Sequence, residues 1–394
     1  MRTEYAEISI LFYLIACALH DEKPDENILY GVNLDNLFTL SKRHSLSPVV
    51  YMAVQNTEAF HHANQTTTKQ WKELKEKAIR KSIMLDAERQ QILAELEKNH
   101  IWYMPLKGSV LKYLYPKEGM REMSDNDILF DAKYQKKVRS LFELRGYDVI
   151  SYGKYNEDVY QKRPVYNFEM HTSLFPDLSY PQFALFDKAV QDRMVTDVDT
   201  VYGRHLNNED SYIYLIAHTY KHHSASGTGL RSLVDLYLMH KNYGESLDWK
   251  YVMQYLHQMG IDAFEEKCLN LAKHLLDKPE PVDILSLPID EKDLLMTLCL
   301  SGTYGTIENQ IKNNFNIYCD EKEASGEEAR IIYYFRRLFP NRNWCKMRYP
   351  FFYRYPVLLP FLWIYRVFKV LVFERKKVQY EINVVEQIFT HTSL

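Results

Sequence analysis

Up to about residue 100 apolar residues recur every three or four positions with almost no Gly or Pro between them, which predicts helices. Residues 69–98 are the clearest stretch, with Ile79, Ile83, Leu85, Ile92 and Leu96 set among charges. Residues 8–19 form an apolar run of signal-peptide length. Glu4 and Glu7 remove the basic flank of a signal, and Leu11, Leu14, Ile15 and Ala18 keep helical spacing, so the run reads as a buried amphipathic helix. Between residues 101 and 202 the texture changes to short apolar runs separated by turn residues. Residues 101–104, 127–130 and 165–169 read as strands, and 109–115 and 132–145 as helices between them. After residue 208 the helical spacing returns in 210–222, 230–241, 249–259 and 262–276. A Pro-interrupted linker is expected at 278–288 and a charged loop at 319–328.

This order predicts an α+β protein in three parts. A helical N-terminal region spans 1–100, a small mixed-sheet α/β core spans 101–205, and a larger α-helical C-terminal domain spans 206–394. Residues 355–373 are mostly apolar and long enough to approach a membrane span, yet Pro360, Arg366 and Lys369 interrupt them. An amphipathic helix packed on its domain is the expected form, with interfacial contact to membrane or RNA as the alternative.

The chain has 394 residues, enough for two or three domains. Its five cysteines stand singly with no C-x-x-C, which argues against a disulfide framework or a zinc knuckle and fits a reducing cytoplasm. The net charge of −3 conceals an asymmetry: residues 330–377 hold twelve Lys or Arg against Glu374 alone. Such a basic, aromatic-rich segment is compatible with an anionic partner, either RNA or a membrane surface.

The candidate chemistry is concentrated in Leu106-Lys107-Gly108-Ser109 and in the stretch from Arg121 to Phe130. Gly108 and Ser109 stand where a strand should end and a helix begin, so their amides can cradle a phosphate, with Lys107 as an added cation. Asp125 and Asp127 are two apart at the start of a strand. Their side chains therefore share a face and can bridge divalent cations, for which hard oxygen ligands suit magnesium, or manganese in its place. Such ions would support in-line displacement at the α-phosphate of a triphosphate. Glu169, on a neighbouring expected strand, is the best third carboxylate, ahead of Asp131. His218 and His222 share a helical face with Lys221 and His223 close by. They could line a cleft and meet base, phosphate or acceptor, or satisfy buried polar groups; a zinc pair is disfavoured because no third ligand accompanies them. Arg231 and Asp235, also four apart, read as an intrahelical ion pair, with Asp235 as an alternative base for an acceptor hydroxyl. No G-x-S-x-G, G-x-G-x-x-G or Walker A sequence is present.

The Gly-Ser pair, the helix and the Asp-x-Asp strand resemble the signature of the DNA polymerase β-like nucleotidyltransferase superfamily. More narrowly, Leu106-Lys107-Gly108, Tyr115-Pro116, Arg121, Asp125/Asp127, Glu169/His171, His218, His222 and Arg231/Asp235 resemble a bacterial family of uncharacterised nucleotidyltransferases. The resemblance implies a polymerase β-like core and a magnesium-dependent transfer of a nucleoside monophosphate from an NTP to a hydroxyl or phosphate. The acceptor would be a small molecule, a protein or RNA. It assigns Asp125, Asp127 and Glu169 to the metals and Gly108-Ser109 to the triphosphate, with Lys107 and Arg121 assisting and His171, His218 and His222 near the nucleotide. The alternative is a catalytically silent nucleotide- or RNA-binding regulator. Asn126 stands where an apolar residue is usual between the aspartates, which predicts a less buried central strand.

Overall fold

The central strand is where the chain departs first from that expectation. In a computed structural model, which describes residues 2–176, 180–320, 326–340, 345, 349–373 and 375–392, strand β2 (Asn126–Phe130) is buried along its whole length. Asn126 is fully buried because its amide is satisfied on both sides. Arg89 donates to Asn126 Oδ1 at 2.9 Å, and Asn126 Nδ2 donates to the Leu85 carbonyl at 3.1 Å. A buried polar side chain costs little when every group has a partner, so the long helix Gln65–Lys98 supplies what an apolar residue would have made unnecessary.

The sheet has five strands in the order β1-β2-β5-β4-β3, with β1 at Tyr103–Leu106, β3 at Asp148–Ser151, β4 at Glu157–Lys162 and β5 at Tyr166–His171. Only β2 and β5 run parallel; the other neighbours are antiparallel. The sheet is therefore mixed, as expected, and β4 and β3 extend it beyond the three strands read from the sequence. Because side chains alternate across a strand, Ile128, Phe130, Phe168 and Met170 face one way. They pack with Ile92 and Leu96 of the long helix and with Val138 and Phe142 of helix Gln135–Leu144. Leu106 and Leu129 face the other way, into a core made mostly of helices.

By packing the chain falls into two compact units, residues 1–220 with 229–303 and residues 221–228 with 304–394. The first unit holds the sheet and a single helical core shared by sequence-distant elements. Helix Arg2–His20 buries Ile8, Leu11, Leu14 and Ile15 in that core, together with Leu271 and Leu275 of helix Asp262–Leu276. His20 Nε2 lies 2.9 Å from the Leu276 carbonyl at the far end of that contact.

The second unit contains helices Ile307–Asp320, Gly326–Leu338, Leu359–Phe373 and Arg375–Thr392. Tyr333, Val384 and Val385 are buried in its own apolar core, and Arg337 and Tyr333 both hold Glu381. Part of the loop expected at 319–328 (residues 321–325), and residues 341–344, 346–348 and 374 of the basic segment, lie outside the described residues. Among the described residues no helix is long and apolar enough to cross a membrane.

Candidate active site

Strand register builds the site. β2 and β5 pair in parallel with Asp127 opposite Glu169 and Leu129 opposite His171, so Asp127, Glu169 and His171 share the face turned away from the long helix. β1 then delivers Lys107. It ends at Leu106, opposite Asp127, and the chain turns at Lys107 with φ 50° and ψ −123°. A left-handed φ at a non-glycine residue stores on the order of 1–3 kcal/mol of strain, and such positions concentrate at functional sites. Lys107 Nζ lies 2.5 Å from Asp127 Oδ1 and 3.9 Å from Glu169 Oε2.

His171 completes the cluster from below. Its Nε2 is 2.9 Å from Asp127 Oδ1, and its Nδ1 is 3.6 Å from Glu157 Oε2 on β4. Among the described residues Nδ1 finds no hydrogen-bond partner, and neither does the buried hydroxyl of Tyr214 from helix Asn208–Ala225. The pre-strand residue Asp125 is half-buried at the entrance to β2 and close enough to Asp127 for each to act on the other's charge.

The electrostatics follow from burial and from a surplus of negative charge. Burial alone would raise the Asp127 carboxyl, but Lys107 and His171 outweigh it and hold Asp127 well below the ordinary carboxylate range. Glu169 is pushed up to about 8, first by burial and then by Asp127, with Lys107 opposing. Asp125 is raised by burial and by Asp127. His171 is lowered by burial and by Lys107, against the pull of Asp127. Burial opposes the charge on Lys107, yet Asp127 and Glu169 keep its ammonium protonated.

This donor set fits a hard divalent cation. Asp127, Glu169 and His171 each offer a ligand atom, and those atoms lie within 4.8 Å of one another. The raised Glu169 and Asp125 carboxyls mark charge that a cation would relieve. His171 therefore joins Asp127 and Glu169 in the tight group, with Asp125 at its edge.

The other candidates are placed as follows. Ser109 is buried and its hydroxyl donates to the Leu106 carbonyl at 2.7 Å. Gly108 sits against Arg121, where a Cβ would be 2.5 Å from Nη1. Arg121 is buried and grips Asp235 with two hydrogen bonds of 2.9 Å, and Tyr115 adds a third to the same carboxylate at 2.8 Å. Arg121, rather than Arg231, is thus the close ion-pair partner of Asp235, while Arg231 donates to the Glu122 carbonyl at 3.0 Å. Both contacts tie the loop before β2 to helix Arg231–Tyr243 and fix where Asp125 emerges. Asp131 lies at the opposite end of β2, paired with Lys133 at 2.7 Å. The His218 ring lies tilted at 49° to that of Tyr214, with ring centroids 5.9 Å apart, whereas His222 is exposed in the second unit. Tyr214 and Glu157 escaped the sequence reading. An apolar-looking helix and a short polar strand carry no local sign that they reach a carboxylate cluster.

A family model described as uncharacterised nucleotidyltransferase matches residues 30–277 of the chain. The crystal structure of an antigenic nucleotidyltransferase-like protein from Paracoccidioides brasiliensis is similar at 15% identity, over 50% of this chain and 93% of that one, with a TM-score of 0.27. No curated protein matches the chain.

Proposed function

The chain belongs to the family of uncharacterised nucleotidyltransferases, and from that premise we propose that it transfers a nucleoside monophosphate from an NTP to a hydroxyl or phosphate acceptor with magnesium as cofactor. The observation that carries this reading is the in-register pairing of Asp127 with Glu169 across parallel strands, with the Lys107 ammonium beside both.

In this reading Asp127 and Glu169, with Asp125 or His171, hold magnesium, or manganese in its place. A divalent ion held there would supply positive charge to offset that of the triphosphate and so support displacement of pyrophosphate from the α-phosphate by the acceptor oxygen. Lys107 leaves Asp127 to meet the triphosphate, beside the amides of Gly108 and Ser109, which as the first residues of a helix have no intrahelical acceptor. His171 keeps the Asp127 carboxylate anionic and oriented through its 2.9 Å contact. Arg121 acts through Asp235, as a positioning residue for Asp125. Cys17, Cys268, Cys299 and Cys345, which are free and buried among the described residues, support a reducing cytoplasmic setting.

A silent nucleotide-binding protein is the second reading, favoured by the ammonium of Lys107 already seated against Asp127. Pyrophosphate release with each of the four NTPs, with and without magnesium, separates the two. Turnover in the wild type that disappears in Asp127→Asn supports the transferase. A magnesium-dependent rise in melting temperature with an NTP but no pyrophosphate, across acceptors of all three classes, leaves the binder.

A further inference from the structure

Helix Leu359–Phe373 has two unlike sides. On one, Leu362 is buried, Trp363 donates to the Pro340 carbonyl at 3.4 Å, and Arg366 donates to the Arg337 carbonyl at 2.7 Å. These contacts fix the helix to its own unit. On the other, Phe361, Ile364, Tyr365, Phe368 and Val372 are 66, 68, 52, 58 and 50% exposed. Their spacing of i, i+3, i+4, i+7 and i+11 places them within an arc of about 100°. The helix expected to lie packed on its domain therefore turns a stripe of five large apolar side chains outward, and Phe351 and Val357, upstream in the chain, are exposed as well. A contiguous apolar patch of this kind marks an interaction surface.

The surrounding charge selects the partner. Residues 330–377 carry twelve Lys or Arg against Glu374 alone, and exposed Arg354 and Arg375 bracket the helix. That excess repels a second copy presenting the same face and favours an anionic surface. Ile364 and Val372 offer no ring to stack on bases, so a mixed aliphatic and aromatic stripe suits acyl chains better than RNA. We propose that this helix lies in the headgroup region of an anionic bilayer, its five exposed apolar residues at the acyl boundary and the flanking Lys and Arg on lipid phosphates. The nucleotidyltransferase unit is then held at a membrane face, and the inference does not depend on what that unit catalyses.

The test is flotation of the full chain with vesicles of phosphatidylcholine mixed with phosphatidylglycerol, against pure phosphatidylcholine, at low and moderate salt. The wild type should float with the anionic vesicles, at least about tenfold more than with the neutral ones, and less as salt rises. The triple variant Phe361→Ser/Ile364→Ser/Phe368→Ser should lose at least about tenfold while keeping the wild-type melting temperature, because the residues are exposed. If it does not fold, Phe368→Asp alone serves. Asp127→Asn should float like the wild type. The proposal is overturned if the wild type fails to float, or if the folded variant floats equally well. It also falls if the stripe residues are needed for RNA binding or for dimer formation in light scattering while vesicles are ignored.

Discussion

Arg121 and Asp235, 114 residues apart in the chain, form a buried ion pair with two parallel hydrogen bonds of 2.9 Å. Burial opposes both charges, yet the pair holds Asp235 below and Arg121 above their ordinary values, so both remain ionised. Removing one partner strands the other charge in the core. Asp235→Leu or Arg121→Met should therefore cost about 3–5 kcal/mol, whereas the double variant Arg121→Met/Asp235→Leu should recover most of that loss. Urea unfolding midpoints of the three proteins check this, and additive losses would rule out the pairing.

The same pair shows what the sequence could disclose and what it could not. That Asp127 and Glu169 could meet was legible because strand periodicity puts alternate residues on one face, whereas the sequence suggests His171 only as a neighbour of the nucleotide and Asp125 as a metal ligand. Two such strands with carboxylates on one face suggest a cation. Asp235 looked like the partner of Arg231, and its pairing with Arg121 was hidden, because helical spacing reports only neighbours within an element. Asn126 looked out of place for a related reason: its partner Arg89 lies 37 residues upstream, on a helix whose own pattern points elsewhere. The helices of residues 1–100 and 206–303 each showed their apolar faces, but nothing local revealed that these faces close on one another. The outward stripe on helix Leu359–Phe373 was equally hidden, since periodicity cannot say which of two apolar sides is covered.

Gly108 is required by the immovable Arg121. A Cβ there would meet Arg121 Nη1 at 2.5 Å and Met123 Cε at 3.3 Å, and Asp235 prevents the guanidinium from retreating. Gly108→Ala should lower stability by about 1–3 kcal/mol. In an Arg121→Met background the same substitution should cost less, and a double-mutant cycle by chemical denaturation measures that difference.

His44 predicts a pH dependence remote from the site. It is buried, accepts a hydrogen bond from the Leu230 amide at 3.2 Å, and is lowered to about 4 by burial and by the charge of Arg43. Unfolded, it takes a proton near 6.5. Between those values the unfolded chain binds the extra proton, so stability is unaffected above pH 6.5 and falls as pH drops toward 4. The loss between pH 7.5 and pH 5 should be about 2 kcal/mol from this residue. Asn keeps an acceptor but does not titrate, so His44→Asn should show a pH 7.5 to 5 decline smaller by about that amount in paired urea titrations.

Lys107 is asked to do two things that one substitution pulls apart. Without substrate its ammonium, 2.5 Å from Asp127 Oδ1, neutralises part of the carboxylate cluster and so competes with a divalent cation for the same oxygen. With substrate it is the cation best placed to meet the triphosphate. Lys107→Met removes both roles and keeps an unbranched apolar side chain of similar length. Asp127 would then have His171 but no ammonium, and the need for a cation would rise. The variant should therefore gain more in melting temperature from magnesium alone than the wild type does, since a ligand stabilises in proportion to its affinity for the folded state. Its nucleotidyl transfer should fall at least about tenfold, because a charge-assisted contact to the reacting phosphates is worth on the order of 1.4 kcal/mol or more. Magnesium titrations by thermal shift, beside pyrophosphate release, read the two effects separately. A weaker response to magnesium in Lys107→Met would mean that Lys107 organises the metal ligands rather than competing with the ion.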